Sequence, residues 1–103
     1  DWDAIDGVID KVREELEECR QTIGGHADPA ARVHEVGDLL FSCVNLARHL
    51  GVDAEQALRA GNHRFERRFR AIEAGLSEQG RTPGPGERAE MERLWEAAKT
   101  EGK

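Results

Sequence analysis

Apolar residues recur in this chain at the period of an α-helix, and nowhere do they alternate as they would along a half-buried strand. That regularity restricts the fold to helices packed side by side. Ile5, Val8, Val12, Leu16, Cys19 and Ile23 fall at i, i+3, i+7, i+11, i+14 and i+18, the stripe of a helix predicted from about Trp2 to Ile23. Gly24-Gly25 ends it. Asp28-Pro29 opens a second helix, with Asp as the cap and Pro at the first helical position, and this helix is expected to run to Leu50. Val33, Val36, Leu39, Leu40, Cys43, Val44, Ala47 and Leu50 make it apolar over much of its girth, which predicts a central helix with several packing partners.

Gly51 stops the second helix, and Asp53 followed by Gln56 reads as a capping box for the third. Leu58, Phe65, Phe69 and Ile72 are its apolar positions, and Gly75 is expected to close it. Gln79 to Gly86 holds three glycines and two prolines and reads as a loop. A short last helix from Glu87 to Lys99 presents Met91, Leu94, Trp95 and Ala98. The expected fold is all-α, a single domain built as a bundle of four helices. At 103 residues its core is modest, so completion by dimerisation is expected.

Charge narrows the partners. A net charge of −6 argues against non-specific nucleic-acid binding, which needs a basic surface to displace counterions. No apolar run approaches the length of a membrane span, and no basic-then-apolar leader opens the chain. Cys19 and Cys43 lack zinc-type spacing and lie in apolar-periodic stretches, so they are expected as reduced, buried residues in a cytoplasmic protein. The first residue is Asp1 rather than Met, which suggests a piece of a longer protein.

Within the helices, the acids carry the chemistry. Glu15 with Glu18, and Glu35 with Asp38, are spaced three apart, which places each pair on neighbouring positions of one helix face. At about 100° per residue, Glu15 sits roughly 60° from the centre of the apolar stripe and Glu18 about 60° further round, whereas Glu14 falls nearly opposite. Glu35 and Asp38 lie beside the apolar arc of the second helix, on a polar strip with Ser42 and Asn45. Carboxylates crowded by two packed helices repel one another unless a cation sits between them, and hard oxygen ligands suit Mg²⁺, or Mn²⁺ in its place. Either pair alone is unremarkable in a chain with 21 acidic residues. Gly37, between the second pair, costs about 1 kcal/mol relative to Ala in a helix, so a close approach by a helix or a ligand is expected there.

Glu14-Glu15-x-x-Glu18 followed by Glu35-x-x-Asp38 resembles the E-E-x-x-E…E-x-x-D pattern of MazG-type nucleoside triphosphate pyrophosphohydrolases. Lys11 to Leu16, Glu35 to Phe41 with Val44 to Arg48, Asn62 to Phe69, and Met91 with Leu94-Trp95 through Lys99 are similar to the family's successive helical blocks, so the likeness covers nearly the whole chain. It is most like the C-terminal domain of tandem MazG proteins. The resemblance implies a Mg²⁺-dependent hydrolase of the all-α type, a homodimer or higher homo-oligomer that converts a nucleoside triphosphate to its monophosphate and pyrophosphate. Carried over by position, Glu15, Glu18, Glu35 and Asp38 are the implied metal ligands, with Glu14 as a further catalytic acid that either orients water or stands behind the ligands. Lys11, Arg64 and Arg68 are implied phosphate contacts, and Asn45 and Asn62 line the site. Two positions depart from the pattern. Arg64 stands where the family commonly has Lys, exchanging a point charge for a fork, and His34 stands where it often has another acid.

Some features read as plain structure. Arg67 and Arg70 are expected as solvated charge, Trp2, Trp95 and the three Phe as core or interface, and His26, His49 and His63 as surface or loop residues. No Glu has His three residues later, which excludes a carboxylate-bridged di-iron bundle. The alternative from another class is a non-catalytic dimerisation or regulatory module of a tandem protein.

Overall fold

The computed structural model describes residues 2–25 and 28–102, so the position of His26 and the side chain of Trp2 lie outside what is described. The chain is all-α. Helices α1 (Trp2–Arg20), α2 (Pro29–His49), α3 (Ala54–Glu78) and α4 (Arg88–Thr100) follow in order, with a 3₁₀ turn at Pro85–Glu87 leading into α4. No strand occurs among the described residues. The chain divides into two compact units, Asp1–Glu55 and Gln56–Lys103.

The first unit is α1 packed on α2. Cys19 meets Glu35, Glu15 meets Asp38, and Val8 and Lys11 share a cleft with Ser42 and Asn45. Ascending one helix therefore descends the other, and the pair is antiparallel. The turn between them tightens early: Thr22 and Ile23 donate backbone N–H groups to the carbonyls of Cys19 and Arg20, three residues back, so α1 stops at Arg20 rather than at Ile23. Asp28 caps α2 by accepting from the Ala30 N–H at 3.1 Å, with Pro29 behind it. At the other end Gly51 takes φ +71°, Val52 donates to Ala47 O and Gly51 donates to Arg48 O, the paired bonds of a Schellman stop.

The most buried residues of this unit are polar, Glu15 and Ser42. The expected apolar arc of α2 is largely uncovered: Val33, Val36, Leu40, Phe41 and Val44 are exposed, as is Cys43, so the expectation of two buried thiols holds only in part, for half-buried Cys19. One partner helix can cover only one side of another, and the residues of α2 that are at least half-buried are the polar strip with Leu39, Leu46 and Ala47. Nothing described lies within 4 Å of where a Cβ on Gly37 would stand, so the close approach expected there is absent from this unit.

The second unit holds the apolar core, Ile72, Leu76 and Ala98. Gly75 does not close α3. It stays helical, and a Cβ there would stand 2.7 Å from Leu94 Cδ2, so glycine lets α4 approach. The stop comes at Gly80, φ +69°, with Arg81 donating to Leu76 O and Gly80 to Ser77 O. Phe65 stacks on Phe69 at 5.9 Å between ring centroids and tilts against Trp95 at 5.7 Å, while the Arg68 guanidinium lies 5.2 Å above the Trp95 ring.

A polar clasp ties the loop to α4. Arg81 pairs with Glu87, Gln79 donates to Glu90 at 3.0 Å, and Arg93 grips the same carboxylate through two nitrogens. Hydrogen bonds from Arg93 and then Gln79 push the Glu90 carboxyl down to about 2. A depressed folded-state value means the contribution is present above the ordinary carboxylate range and is lost as pH falls towards 2. The melting temperature of wild type should therefore fall more steeply than that of Glu90→Gln between about pH 4.5 and pH 2. Parallel acid limbs in calorimetry would refute the clasp.

Candidate functional site

The antiparallel register of α1 and α2 decides which acids meet. Glu15, Glu35 and Asp38 each bring a carboxylate oxygen into one group in which all three atoms lie within 4.8 Å of one another. Glu18 stands beside this triad, half-buried, with its carboxyl pushed above the usual range. The charge of Glu15 is the main cause, followed by burial and by hydrogen bonding to Glu15 and Glu35. Glu14 is exposed on the far flank, as its helical phase predicts.

Glu15 is only 6% exposed. One of its oxygens, Oε1, lies 3.1 Å from Lys11 Nζ, while Oε2 is buried with no hydrogen-bond partner. Glu35 Oε2 is orphaned in the same way. Lys11 also reaches Glu14 at 3.5 Å, and its hold on the proton is strengthened first by the hydrogen bond to Glu15 and then by the charge of Glu14. His34 Nε2 lies 3.3 Å from Asp38 Oδ2. Cys19 donates its thiol to the Glu35 backbone carbonyl at 3.2 Å. Burial and then the charge of Glu35 push that thiol up, which disfavours the reactive thiolate.

Three carboxylates with oxygens within 4.8 Å of one another, two of them with a buried oxygen lacking a donor, are unfavourable as they stand. The donor set is hard oxygen throughout and fits a divalent cation of the Mg²⁺ or Mn²⁺ kind.

Beside the triad runs a cleft of about 370 Å³ lined by Val8, Lys11, Glu15, Asp38, Phe41, Ser42 and Asn45. Ser42 Oγ donates to the Leu39 carbonyl at 2.7 Å, which fixes the hydroxyl against its own helix. Val8 and Phe41 line this cleft beside the acids although sequence reasoning assigned both to packing. Their signal was helical phase: Phe41 follows Asp38 by three positions and Val8 precedes Lys11 by three. The remaining expected contacts, Asn62, Arg64 and Arg68, lie on α3 in the second unit, Asn62 and Arg64 exposed and Arg68 over Trp95.

Comparison with known proteins finds relatives that match nearly the whole chain. The chain is 43% identical over 103 residues, 96% of its length, to the Nucleoside triphosphate pyrophosphohydrolase of Escherichia coli K12. It is 38% identical over 99 residues, again 96% of its length, to the Nucleoside triphosphate pyrophosphohydrolase/pyrophosphatase MazG of Thermotoga maritima. A third relative, the uncharacterised protein YabN of Bacillus subtilis, is 40% identical over 65 residues, covering 63% of this chain and 13% of YabN. No protein-family model matches the chain. It spans 38% of the Escherichia coli protein's length and 37% of the Thermotoga maritima protein's. Identity sustained over nearly every residue of the chain makes it homologous to one part of each of these two longer proteins, which are named nucleoside triphosphate pyrophosphohydrolases.

Proposed function

We propose that this chain hydrolyses ribo- or deoxyribonucleoside triphosphates between the α and β phosphates, giving the monophosphate and pyrophosphate, with Mg²⁺ or Mn²⁺ as cofactor. The observation that carries the proposal is the gathering of Glu15, Glu35 and Asp38 within 4.8 Å, with buried oxygens left unpartnered. The names borne by the Escherichia coli and Thermotoga maritima relatives support the reaction class.

Glu15, Glu35 and Asp38 hold the cation, with Glu18 completing the ligand set from α1. A bound divalent cation neutralises phosphate charge and polarises the bond to be broken. Around it, this chain's residues divide the remaining work. A carboxylate oxygen of the cluster that the cation would not engage is suited to take a proton from the attacking water. Glu14 orients that water or holds Lys11 in place. Lys11 places an ammonium at the cleft, where it meets phosphate oxygens, and Asn45 offers an amide to the sugar or base. Asn62, Arg64 and Arg68 carry donors that suit phosphate and enter the proposal on the resemblance alone.

The chain works as one domain of a larger, tandem protein and as a homodimer or higher homo-oligomer in the cytoplasm. Its span of 38% of the Escherichia coli relative supports the first statement. The exposed Val33, Val36, Leu40 and Val44 on α2 support the second, since an apolar face of this kind is stabilised by a partner. The free thiols of Cys19 and Cys43 agree with a reducing compartment.

A panel of nucleoside triphosphates with Mg²⁺, scored for monophosphate and pyrophosphate against orthophosphate, tests the reaction. Glu35→Gln and Asp38→Asn should each lose more than the ~10–100-fold that removal of a group behind the ligands costs, with helicity intact by circular dichroism. Orthophosphate as the product, or full turnover in either variant, would overturn the assignment. A folded oligomer without pyrophosphate release would instead favour the non-catalytic module.

Crowding also has a consequence for stability. In EDTA, Glu35→Gln should melt above wild type by about 4 °C, a shift of the order expected for a relieved contact in a domain this size. Added Mg²⁺ should raise the wild-type melting temperature and leave that of the variant nearly unchanged.

A further inference from the structure

The triad is not wholly without positive charge. The ionic partners recorded for it among the described residues are Lys11, at 3.1 Å from Glu15, and His34, at 3.3 Å from Asp38 and charged only when protonated. Lys11 therefore brings the permanent charge. It reaches one oxygen of a side chain that is more than nine-tenths buried, while the other oxygen of that side chain has no partner. The Lys11 side chain, a flexible four-carbon stem with the ammonium at its end, is 55% exposed, and Glu14 stands at 3.5 Å as a second acceptor.

We propose that Lys11 is the resident counter-ion of the acid cluster: tethered one turn before Glu15, it neutralises the cluster in the cation-free protein and withdraws when a divalent cation takes the carboxylates. The inference rests on the metal reading above and deepens it.

Geometry and charge both require an exchange of this kind. A lone ammonium offers three donors from one side and cannot gather Glu15, Glu35 and Asp38 together, whereas a divalent ion coordinates all three. The ammonium repels that incoming ion, so the two compete for Glu15. Exposure makes withdrawal easy, because a solvated ammonium loses little on leaving one carboxylate for Glu14 or for water. The position thus holds the charged site together before loading and weakens its affinity for the cation.

Thermal melting against Mg²⁺ concentration, without nucleotide, reads both effects. Wild type should melt progressively higher as Mg²⁺ is added. Lys11→Met should melt lower than wild type in EDTA, yet reach half its Mg²⁺-induced rise at a concentration about threefold to tenfold lower, the change that one unit charge a few ångströms away makes in a largely aqueous setting. Lys11→Arg keeps the charge and should melt close to wild type in EDTA, while its fork, harder to displace from Glu15, should raise the Mg²⁺ midpoint rather than lower it. Should Lys11→Met match wild type in EDTA and in Mg²⁺ midpoint, or bind Mg²⁺ more weakly, the counter-ion role is wrong while the metal reading stands. Should wild type itself ignore Mg²⁺, the metal reading fails and this inference falls with it.

Discussion

Like-charge contact across the α1–α2 seam governs the first unit. Antiparallel helices usually place apolar residues where they meet most closely, yet here the two buried residues of that seam are polar, Ser42 and the carboxylate Glu15. Glu35 and Asp38 face it from α2. A buried, unpartnered carboxylate oxygen forfeits hydration without replacement, as those of Glu15 and Glu35 do, and Asp38 beside them adds repulsion. Packing two helices with that cost at their centre makes physical sense when a divalent cation supplies the missing charge. The raised proton affinities of Glu18 and Cys19 follow from the same concentration of negative charge.

The second unit is organised on other terms. Its core is apolar, centred on Ile72, Leu76 and Ala98, and it is closed by glycine at two different tasks. Gly75 removes a Cβ so that Leu94 can seat against α3, and Gly80 turns the chain through the left-handed region to end that helix. Arg81, Gln79, Glu87, Glu90 and Arg93 then secure the loop by charge. The first unit keeps its strain at the acids, while the second has the ordinary anatomy of a stabilising hairpin.

Much of this was legible from residues alone, and the failures have physical causes. Period, caps and Gly51 placed all four helices because each signal is local: a side chain's phase or a backbone conformation that only glycine adopts readily. Gly75 misled because a helical glycine serves either termination or close approach, and sequence does not say which until Leu94 is in place. The acid pairs were legible since i,i+3 spacing fixes their common face, but the antiparallel register that brings Glu15, rather than Glu18, into the triad depends on how the helices slide. The apolar girth of α2 was read correctly as a residue pattern. Its exposure was not foreseeable, because one covering helix reaches one side only.

Lys11 joins the two halves of the chemistry. Its ammonium pairs with Glu15 and Glu14, and a paired ammonium is a poor receptor for phosphate. A cation that takes Glu15 frees that charge beside the cleft bordered by Asn45 and Phe41, where a polyphosphate would lie. Loading the metal and creating the anion site are then one event, since both draw on the same carboxylate. An arginine at position 11 would keep the charge but hold the carboxylate through a planar fork, which is harder to release than a single ammonium. Lysine at this position thus fits a contact that has to be given up in each cycle, whereas the Arg93 fork on Glu90 fits one that is kept.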